Sequence, residues 1–334
     1  MFIRKKNMKI VRICFISIFL CFLNSAFAQT IIADGLYGQE LFDHVVNNYK
    51  TSTTLGYTAC RDTMYAVIDL KEGNQLSCIY SDYTITLDLS LDPSTDAYHK
   101  GINCEHTFPQ SMGAGSEPQK SDMHHLFPCK STVNSSRGND PFGEIPDENA
   151  DRWYWKDILL LTVPAESIDE YAEKENDDPD KFEPREENKG NAARAMFYFG
   201  AIYHDVADSS FFEQQKNVLL QWHYNDPVDP VEFERTWEIA AYQDNLPNPF
   251  VIDSTLARRI WYYLPSPEIT NIYVQNNSIF IEWSLVESAN SYKVYSSDDP
   301  YIGFAEDTSG SFAGESWSTS VINEKKFYYI TAVK

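Results

Sequence analysis

Apolar residues recur at helical intervals in several parts of the first 264 residues. Residues 36–57 show this spacing and predict an amphipathic helix. Three later segments predict further helices, the first of them buried: 190–204, 211–222 and 230–243. Short apolar runs bounded by turn residues predict strands instead: 63–70, 78–80 and 83–89. This part of the chain therefore mixes helices with short strands.

A polar, ionisable stretch occupies the centre of this region, from Asn103 to Glu144. Residues 101–106 predict one strand and residues 122–127 a second, with a loop rich in Gly and Ser between them. Residues 130–138 predict a short helix with Ser131 as its N-cap. The unit is therefore expected to run strand, loop, strand, helix.

The pattern changes beyond the Pro265-Ser266-Pro267 segment. Residues 269–283, 291–297 and 326–333 alternate apolar and polar positions, and Asn276-Asn277 is a turn signal. We expect a small all-β domain over 265–334. It resembles a fibronectin type III domain, in which Trp283 would be the buried strand tryptophan.

The N-terminus has the organisation of a secretory signal peptide. A basic segment precedes an apolar run from Ile13 to Leu23, and Ala26-Phe27-Ala28 is a small-residue cleavage site. The run is too short to span a bilayer, and no later segment is long and apolar enough to do so. We expect cleavage before Gln29, with 1–28 as signal peptide, and a secreted or periplasmic protein.

Cysteine usage fits an oxidising compartment. Removal of the leader would leave four cysteines, which allow three disulfide connectivities. Pairing Cys60 with Cys78 and Cys104 with Cys129 closes the shortest loops and is the favoured arrangement.

Charge is the main objection to a nucleic-acid function. The formal net charge is −22 and would become −27 without the five basic leader residues, whereas nucleic-acid binders usually carry a basic surface. Ten acids lie in 169–187, which predicts a solvated loop with a calcium site as an alternative. Acids gathered there and in the tail would leave a cleft elsewhere free for a polyanion.

The central stretch contains the parts that phosphodiester hydrolysis requires. His106 is a suitable base for water near neutral pH. Glu105 and Asn134 offer the hard oxygen ligands that Mg²⁺ prefers. Arg137 lies three residues after Asn134, on the same helical face, and could place positive charge on the phosphate. Because neighbours on a strand point to opposite faces, Glu105 and His106 can share a site only where the strand ends or bends.

Structural explanations of the same residues stay open. His124 and His125 could be hydrogen-bonded core residues, Asn134 a helix cap and Arg137 a salt-bridge partner. Four residues could instead form a structural zinc site: Cys104, His106, His125 and Cys129. An oxidising compartment favours disulfides over such a site.

The combined motifs resemble those of the secreted endonuclease I family, within the ββα-metal (His-Me finger) nucleases. The resemblance covers about residues 33–264 and rests on seven segments: Glu105-His106, Asp122–Leu126, Val133–Asn139, Lys189–Tyr198, Leu220–His223, Asp226–Val228 and Gln243–Phe250. It implies His106 as the general base and Glu105 and Asn134 as ligands of Mg²⁺, for which Mn²⁺ or Ca²⁺ could substitute.

The sequence departs from the family's pattern at the phosphate. Some members carry an arginine in the loop after the Glu-His pair, but in 107–121 the only cation is Lys120. Candidates for stabilising the leaving group or binding the substrate are therefore Arg137, Lys120 and Arg194.

These observations together predict an α+β protein. A ββα-metal core wrapped by helices would occupy 29–264 and a small β-sandwich 265–334. We expect a monomeric, secreted endonuclease acting on DNA, or on RNA, with the tail available for a surface or protein partner. Two alternatives remain: an inactive binding protein that keeps the fold, and a metal-dependent phosphodiesterase acting on another substrate.

Overall fold

The computed structural model describes residues 30–176, 179–321 and 325–334. The leader predicted at 1–28 lies outside these ranges. In the described ranges, no helix combines the length and the apolarity that crossing a bilayer requires.

Nine α-helices are described, all before residue 262. They are α1 (Gly38–Tyr49), α2 (Tyr57–Thr63), α3 (Pro93–His99), α4 (Ser131–Arg137), α5 (Lys189–Ile202), α6 (Ser209–Asn225), α7 (Pro230–Ala240), α8 (Pro249–Ile252) and α9 (Leu256–Trp261). The predictions of helices at α1, α5, α6 and α7 are confirmed.

Helix α5 lies at the centre of the larger hydrophobic core. Thirteen of its residues are buried, and α6 packs along it. Gly200 permits this packing because a Cβ there would meet the Phe212 ring at 2.8 Å. Phe197 stacks on Trp261 of α9, with ring centroids 5.3 Å apart. A helix that is apolar on all sides is a buried one, as the sequence predicted.

Eight strands form three antiparallel sheets in the same part of the chain. They are β1 (Gln75–Ser77), β2 (Thr84–Thr86), β3 (Ile102–His106), β4 (Leu126–Lys130), β5 (Arg152–Trp155), β6 (Ile158–Leu160), β7 (Ala172–Glu175) and β8 (Lys181–Glu183). Strands β1 and β2 pair, β3 pairs with β4, and the third sheet has the order β6-β5-β7-β8.

Strands β3 and β4 are followed directly by α4. The register sets Glu105 opposite Phe127 and His106 opposite Leu126. The second strand begins at Leu126 rather than at residue 122, because Met123–His125 form a 3₁₀ turn. Lys130, not Ser131, is the N-cap of α4. The predicted order of strand, loop, strand and helix is present.

Three segments differ from the prediction. Residues 78–80 lie in the turn between β1 and β2 rather than in a strand. Residues 63–70 are helical rather than extended, since a π-helical turn at Met64–Ile68 continues α2. The acidic segment is not simply a solvated loop, because every residue of β7 is buried and Glu183 of β8 is 5% exposed. Lysines from neighbouring positions compensate the charge there; Lys189 Nζ lies 2.6 Å from Glu183 Oε1.

The C-terminal segment forms two antiparallel sheets. Its strands are β9 (Ile269–Gln275), β10 (Ser278–Trp283), β11 (Ser291–Ser297), β12 (Ala305–Glu306), β13 (Ser311–Phe312), β14 (Ser316–Ser320) and β15 (Phe327–Val333). One sheet has the order β13-β14-β10-β9 and the other β12-β11-β15. Trp283 and Trp317 of the first sheet share a core with Val294 and Ile330 of the second. The boundary at 264 and the fibronectin type III resemblance stay predictions.

Candidate active site

Glu105 lies near the end of β3, and its side chain is buried. Only 2% of it is exposed. Its Oε1 accepts a hydrogen bond of 2.9 Å from the Tyr80 hydroxyl and lies 3.5 Å from Nη1 of Arg137. Burial raises the pKa of Glu105 to about 7, against the opposing effects of Arg137 and Tyr80. A cation placed at the other carboxylate oxygen would favour the ionised form.

His106 is the last residue of β3, which is where the strand ends. Its Nε2 lies 3.1 Å from the main-chain oxygen of Lys120. Because a carbonyl oxygen only accepts, Nε2 carries the proton and Nδ1 keeps its lone pair. The side-chain amide of Gln110 lies 3.3 Å from Nδ1 and can donate to it. Gln110 is exposed, so an incoming water can replace its amide there.

The electrostatic surroundings keep this imidazole neutral. Burial, followed by the nearby His125, lowers the pKa of His106 to about 3, although the contact to Lys120 oxygen opposes the shift. An unprotonated imidazole can accept a proton from water at neutral pH. An anionic phosphate beside the ring would raise its basicity, since a neighbouring negative charge favours the protonated form.

Asn134 lies on α4, and its amide orientation is fixed from behind. Nδ2 donates to Asn103 Oδ1 at 2.9 Å and to the carbonyl oxygen of Cys104 at 3.2 Å. Both contacts use the NH₂ group, so Oδ1 is directed away from β3. Asn134 is not the helix cap.

Glu105 and Asn134 fit a hard divalent cation. Among the described residues, none donates a hydrogen bond to Glu105 Oε2 or to Asn134 Oδ1, so both oxygens are available as ligands. The described side chains contain no group of three or more His, Cys, Asp or Glu suited to a metal. Such a site would therefore leave most of an octahedral shell to water and substrate, as Mg²⁺ prefers. No calcium group is formed by the described acids of 169–187 either.

Arg137 is enclosed behind the site rather than facing it. It is 1% exposed. Nη2 donates to the Thr107 carbonyl oxygen at 2.8 Å and Nη1 to that of His106 at 3.4 Å. Through these contacts Arg137 supports Glu105 and the end of β3. Its guanidinium is therefore not placed to contact a phosphate directly.

Arg194 is also enclosed and paired within the protein. This 1%-exposed side chain forms a two-pronged contact with Glu232, with Nε–Oε1 at 2.7 Å and Nη2–Oε2 at 2.5 Å. It also donates to the Asp226 carbonyl oxygen at 2.8 Å. The structure thus makes Arg194 a link between α5 and α7. Of the three predicted cations, Lys120 is the one beside His106.

Sequence reasoning missed three residues at the site. Tyr80 bonds Glu105, Gln110 contacts His106, and the Tyr57 ring lies 5.6 Å from the His106 ring. Tyr57 and Tyr80 come from segments well before the central stretch, so no local motif indicated them. Gln110 lies four residues after His106, and an exposed glutamine carries no distinguishing signal.

His124 and His125, the other two histidines of the central stretch, have structural contacts. His124 Nε2 contacts the Leu246 carbonyl oxygen at 2.9 Å, and His125 Nε2 that of Gln119 at 2.7 Å. The buried carboxylate of Asp122 accepts from Tyr198 at 2.8 Å and from Tyr203 at 2.7 Å. These contacts fasten the turn before β4 to α5.

The cysteines do not have the predicted neighbours. The four cysteines that the structure describes are free thiols. Cys104 and Cys129 occupy non-opposed positions of the β3–β4 pair, so their side chains lie on opposite faces. Cys129 shares one core with Cys78, with sulfurs 3.6 Å apart, whereas Cys104 shares another with Cys60. The favoured pairing was therefore wrong, and the zinc site through Cys104 and Cys129 does not fit.

Comparison with known proteins identifies a family and two relatives. The Endonuclease I family matches residues 38–255. An extracellular ribonuclease of Bacillus subtilis (strain 168) is 32% identical over 175 residues, which is 48% of this chain and 54% of the relative. An extracellular ribonuclease of Bacillus amyloliquefaciens is 32% identical over 176 residues, 48% of this chain and 53% of the relative. The chain thus spans about half the length of these two curated relatives.

Proposed function

We propose, because this chain belongs to the Endonuclease I family, that it is a secreted, metal-dependent and sequence-non-specific endonuclease. Its substrate would be DNA, with RNA as a second candidate. The observation that carries the proposal is the orientation of His106, whose Nε2 is 3.1 Å from Lys120 oxygen. That contact leaves Nδ1 as a base at the end of the strand that also holds Glu105.

In the proposed reaction, His106 removes a proton from water. Nδ1 takes the proton as the water oxygen bonds to phosphorus. The leaving oxygen departs from the opposite side with the electron pair of the broken P–O bond and takes a proton from solvent water. The imidazolium that forms keeps its Nε2–H on Lys120 oxygen, which stabilises the charge. The approaching water takes the position next to Nδ1 that the Gln110 amide otherwise reaches.

Glu105 and Asn134 would hold the metal through one carboxylate and one amide oxygen. When bound, Mg²⁺ supplies positive charge to the phosphate and the leaving oxygen. Tyr80 and Arg137 fix the carboxylate, and Asn103 together with the Cys104 carbonyl fixes the amide. The protein's part is therefore to orient two oxygens that are already in place.

The relatives support the substrate class and the location. Both are named extracellular ribonucleases, which favours export and a polynucleotide substrate. Their names also give RNA more weight than the sequence motifs alone did. The matched region lies before residue 256, so the C-terminal sheets would serve attachment or spacing rather than catalysis.

A cleavage assay on three substrates tests the proposal. Supercoiled plasmid, a long RNA and bis(p-nitrophenyl) phosphate would be incubated with the protein and Mg²⁺, and in parallel with EDTA. We expect cleavage of one or both polynucleotides that EDTA abolishes. Hydrolysis of the small diester alone would favour a phosphodiesterase of other substrates. No hydrolysis of any substrate, by protein shown to be folded, would favour an inactive binding protein.

A further inference from the structure

Two cations meet at one aromatic ring beside His106. The Arg61 guanidinium carbon lies 4.6 Å from the centroid of the Tyr57 ring, and Lys120 Nζ lies 4.8 Å from it. The same ring is 5.6 Å from the His106 ring. Two positive side chains from distant parts of the sequence are therefore held next to the base.

Three other arginines in the described part of the chain are neutralised by direct ion pairs. Arg137, Arg194 and Arg235 pair with carboxylates. By contrast, neither Arg61 nor Lys120 forms an ion pair with any carboxylate in the described ranges. Arg61 donates from Nε to the Tyr57 carbonyl oxygen at 3.3 Å, which leaves its Nη groups without a described acceptor. Both side chains are partly exposed.

An unpaired cluster of this kind is unexpected in so acidic a chain. With 49 acids against 27 basic residues, most cations should find a carboxylate. Its proximity to His106 gives the cluster a chemical use, because a phosphate placed beside the base would also lie close to both positive charges. Arginine suits this use since its planar fork matches phosphate oxygens.

We propose that Arg61 and Lys120, gathered on Tyr57, bind the backbone phosphates of the polynucleotide next to the bond that is cut. The proposal rests on the proposed function for the identity of the polyanion. It supplies the arginine that the loop after Glu105-His106 lacks and assigns it to α2, outside that loop. Tyr57 is a positioning residue that holds the cations beside His106.

Binding of a fluorescein-labelled single-stranded DNA, followed by anisotropy in EDTA over a series of salt concentrations, tests this. Gel analysis would verify that the probe stays intact. Each phosphate contact contributes about 0.7 to the slope of log K against log salt for single strands. We expect R61Q and K120Q each to weaken DNA binding and to reduce the steepness of the salt dependence by about 0.7. R61K should keep the slope, because it keeps the charge.

Two matched controls carry the same residue types over rings elsewhere. Lys156 lies 4.4 Å from the Trp155 ring and Arg258 lies 6.0 Å from the Tyr224 ring. K156Q and R258Q should leave the affinity and the slope unchanged. A general effect of charge on binding would instead appear in all four glutamine variants and would overturn the assignment.

The outcomes separate this inference from the proposed function. The inference is overturned if R61Q and K120Q both bind with the affinity and salt slope of the wild type. It is also overturned if the wild-type protein does not bind the DNA. Normal binding with the predicted losses, but no cleavage by the wild type in Mg²⁺, refutes the nuclease proposal and leaves the phosphate site standing. If R61Q does not fold, K120Q decides, because the Lys120 contact to His106 uses the main chain.

Discussion

Arg137 and Glu105 form a buried ion pair, with Nη1 3.5 Å from Oε1. Their exposed fractions are 1% and 2%. The same guanidinium donates to the carbonyl oxygens of His106 and Thr107. Arg137 of α4 therefore fixes both the position of the Glu105 carboxylate and the path of the main chain at His106 and Thr107.

Removing this guanidinium should destabilise the fold. R137M leaves Glu105 buried without its partner, and breaking a buried pair costs about 3–5 kcal/mol. The double variant R137M/E105Q should recover part of that loss, because no buried charge remains. Urea unfolding at pH 8 would measure the free energies. Equal stability of R137M and the wild type would show that Arg137 does not support Glu105.

His106→Ala should lower kcat by about 10²–10⁴, the usual contribution of a general base. The variant should remain folded with a lower melting temperature, because removal of this buried ring leaves a cavity. His124→Ala is the matched control, because His124 bonds Leu246 oxygen inside the core. It should lower the melting temperature and keep the metal response. Near-normal turnover by His106→Ala would remove His106 from the mechanism.

Local pattern was sufficient for much of the fold. Helix α5 is buried almost throughout, and the buried residues of α6 and α7 recur at helical spacing. The turn at Asn276-Asn277 has positive φ at both positions, 50° and 61°. Residues 63–70 were misjudged because Met64, Tyr65 and Ile68 are apolar at spacings that suit a buried helix as well as a strand. Strand β7 was misjudged because Lys174 and Glu175 are buried through ion pairs, which hydropathy does not indicate.

The candidate site residues also divide into those that local sequence indicated and those that only packing brings together. Glu105, His106 and Asn134 lie in one stretch, so motif and chemistry together were enough to select them. Tyr57, Arg61 and Tyr80 reach the site only through packing. Whether a cation faces the substrate depends on its partners, and sequence alone did not separate Lys120, which is unpaired, from Arg137 and Arg194, which are enclosed.

The sulfurs of Cys78 and Cys129 should join under mild oxidation. They are 3.6 Å apart, and Ile79 nitrogen donates to Pro128 oxygen at 2.9 Å, so the two segments already lie side by side. Oxidised glutathione would take the two thiol protons and electrons and leave as two reduced molecules. Peptide mapping without reductant should recover a Cys78–Cys129 peptide. A Cys104–Cys129 peptide would contradict the strand register.

Acid should weaken the fold partly through His223. Burial, with a contribution from Arg194, lowers its pKa to about 4, although the bond to Ser254 oxygen opposes this. The unfolded residue has a pKa of about 6.5, so between these values the unfolded state binds more protons. Stability from this group is complete above about pH 6.5 and is lost as the pH falls towards 4. The melting temperature of H223Q should therefore depend less steeply on pH than that of the wild type. If the melting temperatures of H223Q and the wild type change in parallel with pH, His223 does not contribute to the acid sensitivity of the fold.

The Mg²⁺ dependence of cleavage tests the central claim most directly. Initial rates on the better polynucleotide would be measured against Mg²⁺ concentration for wild type, E105A, N134A and N134D, with melting temperatures in EDTA alongside. Because only two protein oxygens are expected to hold the ion, EDTA should abolish cleavage and barely change the melting temperature. E105A and N134A should each need more Mg²⁺ for half-maximal rate, and N134D should keep part of the activity. Cleavage that persists in EDTA, or unfolding caused by EDTA, would contradict the account.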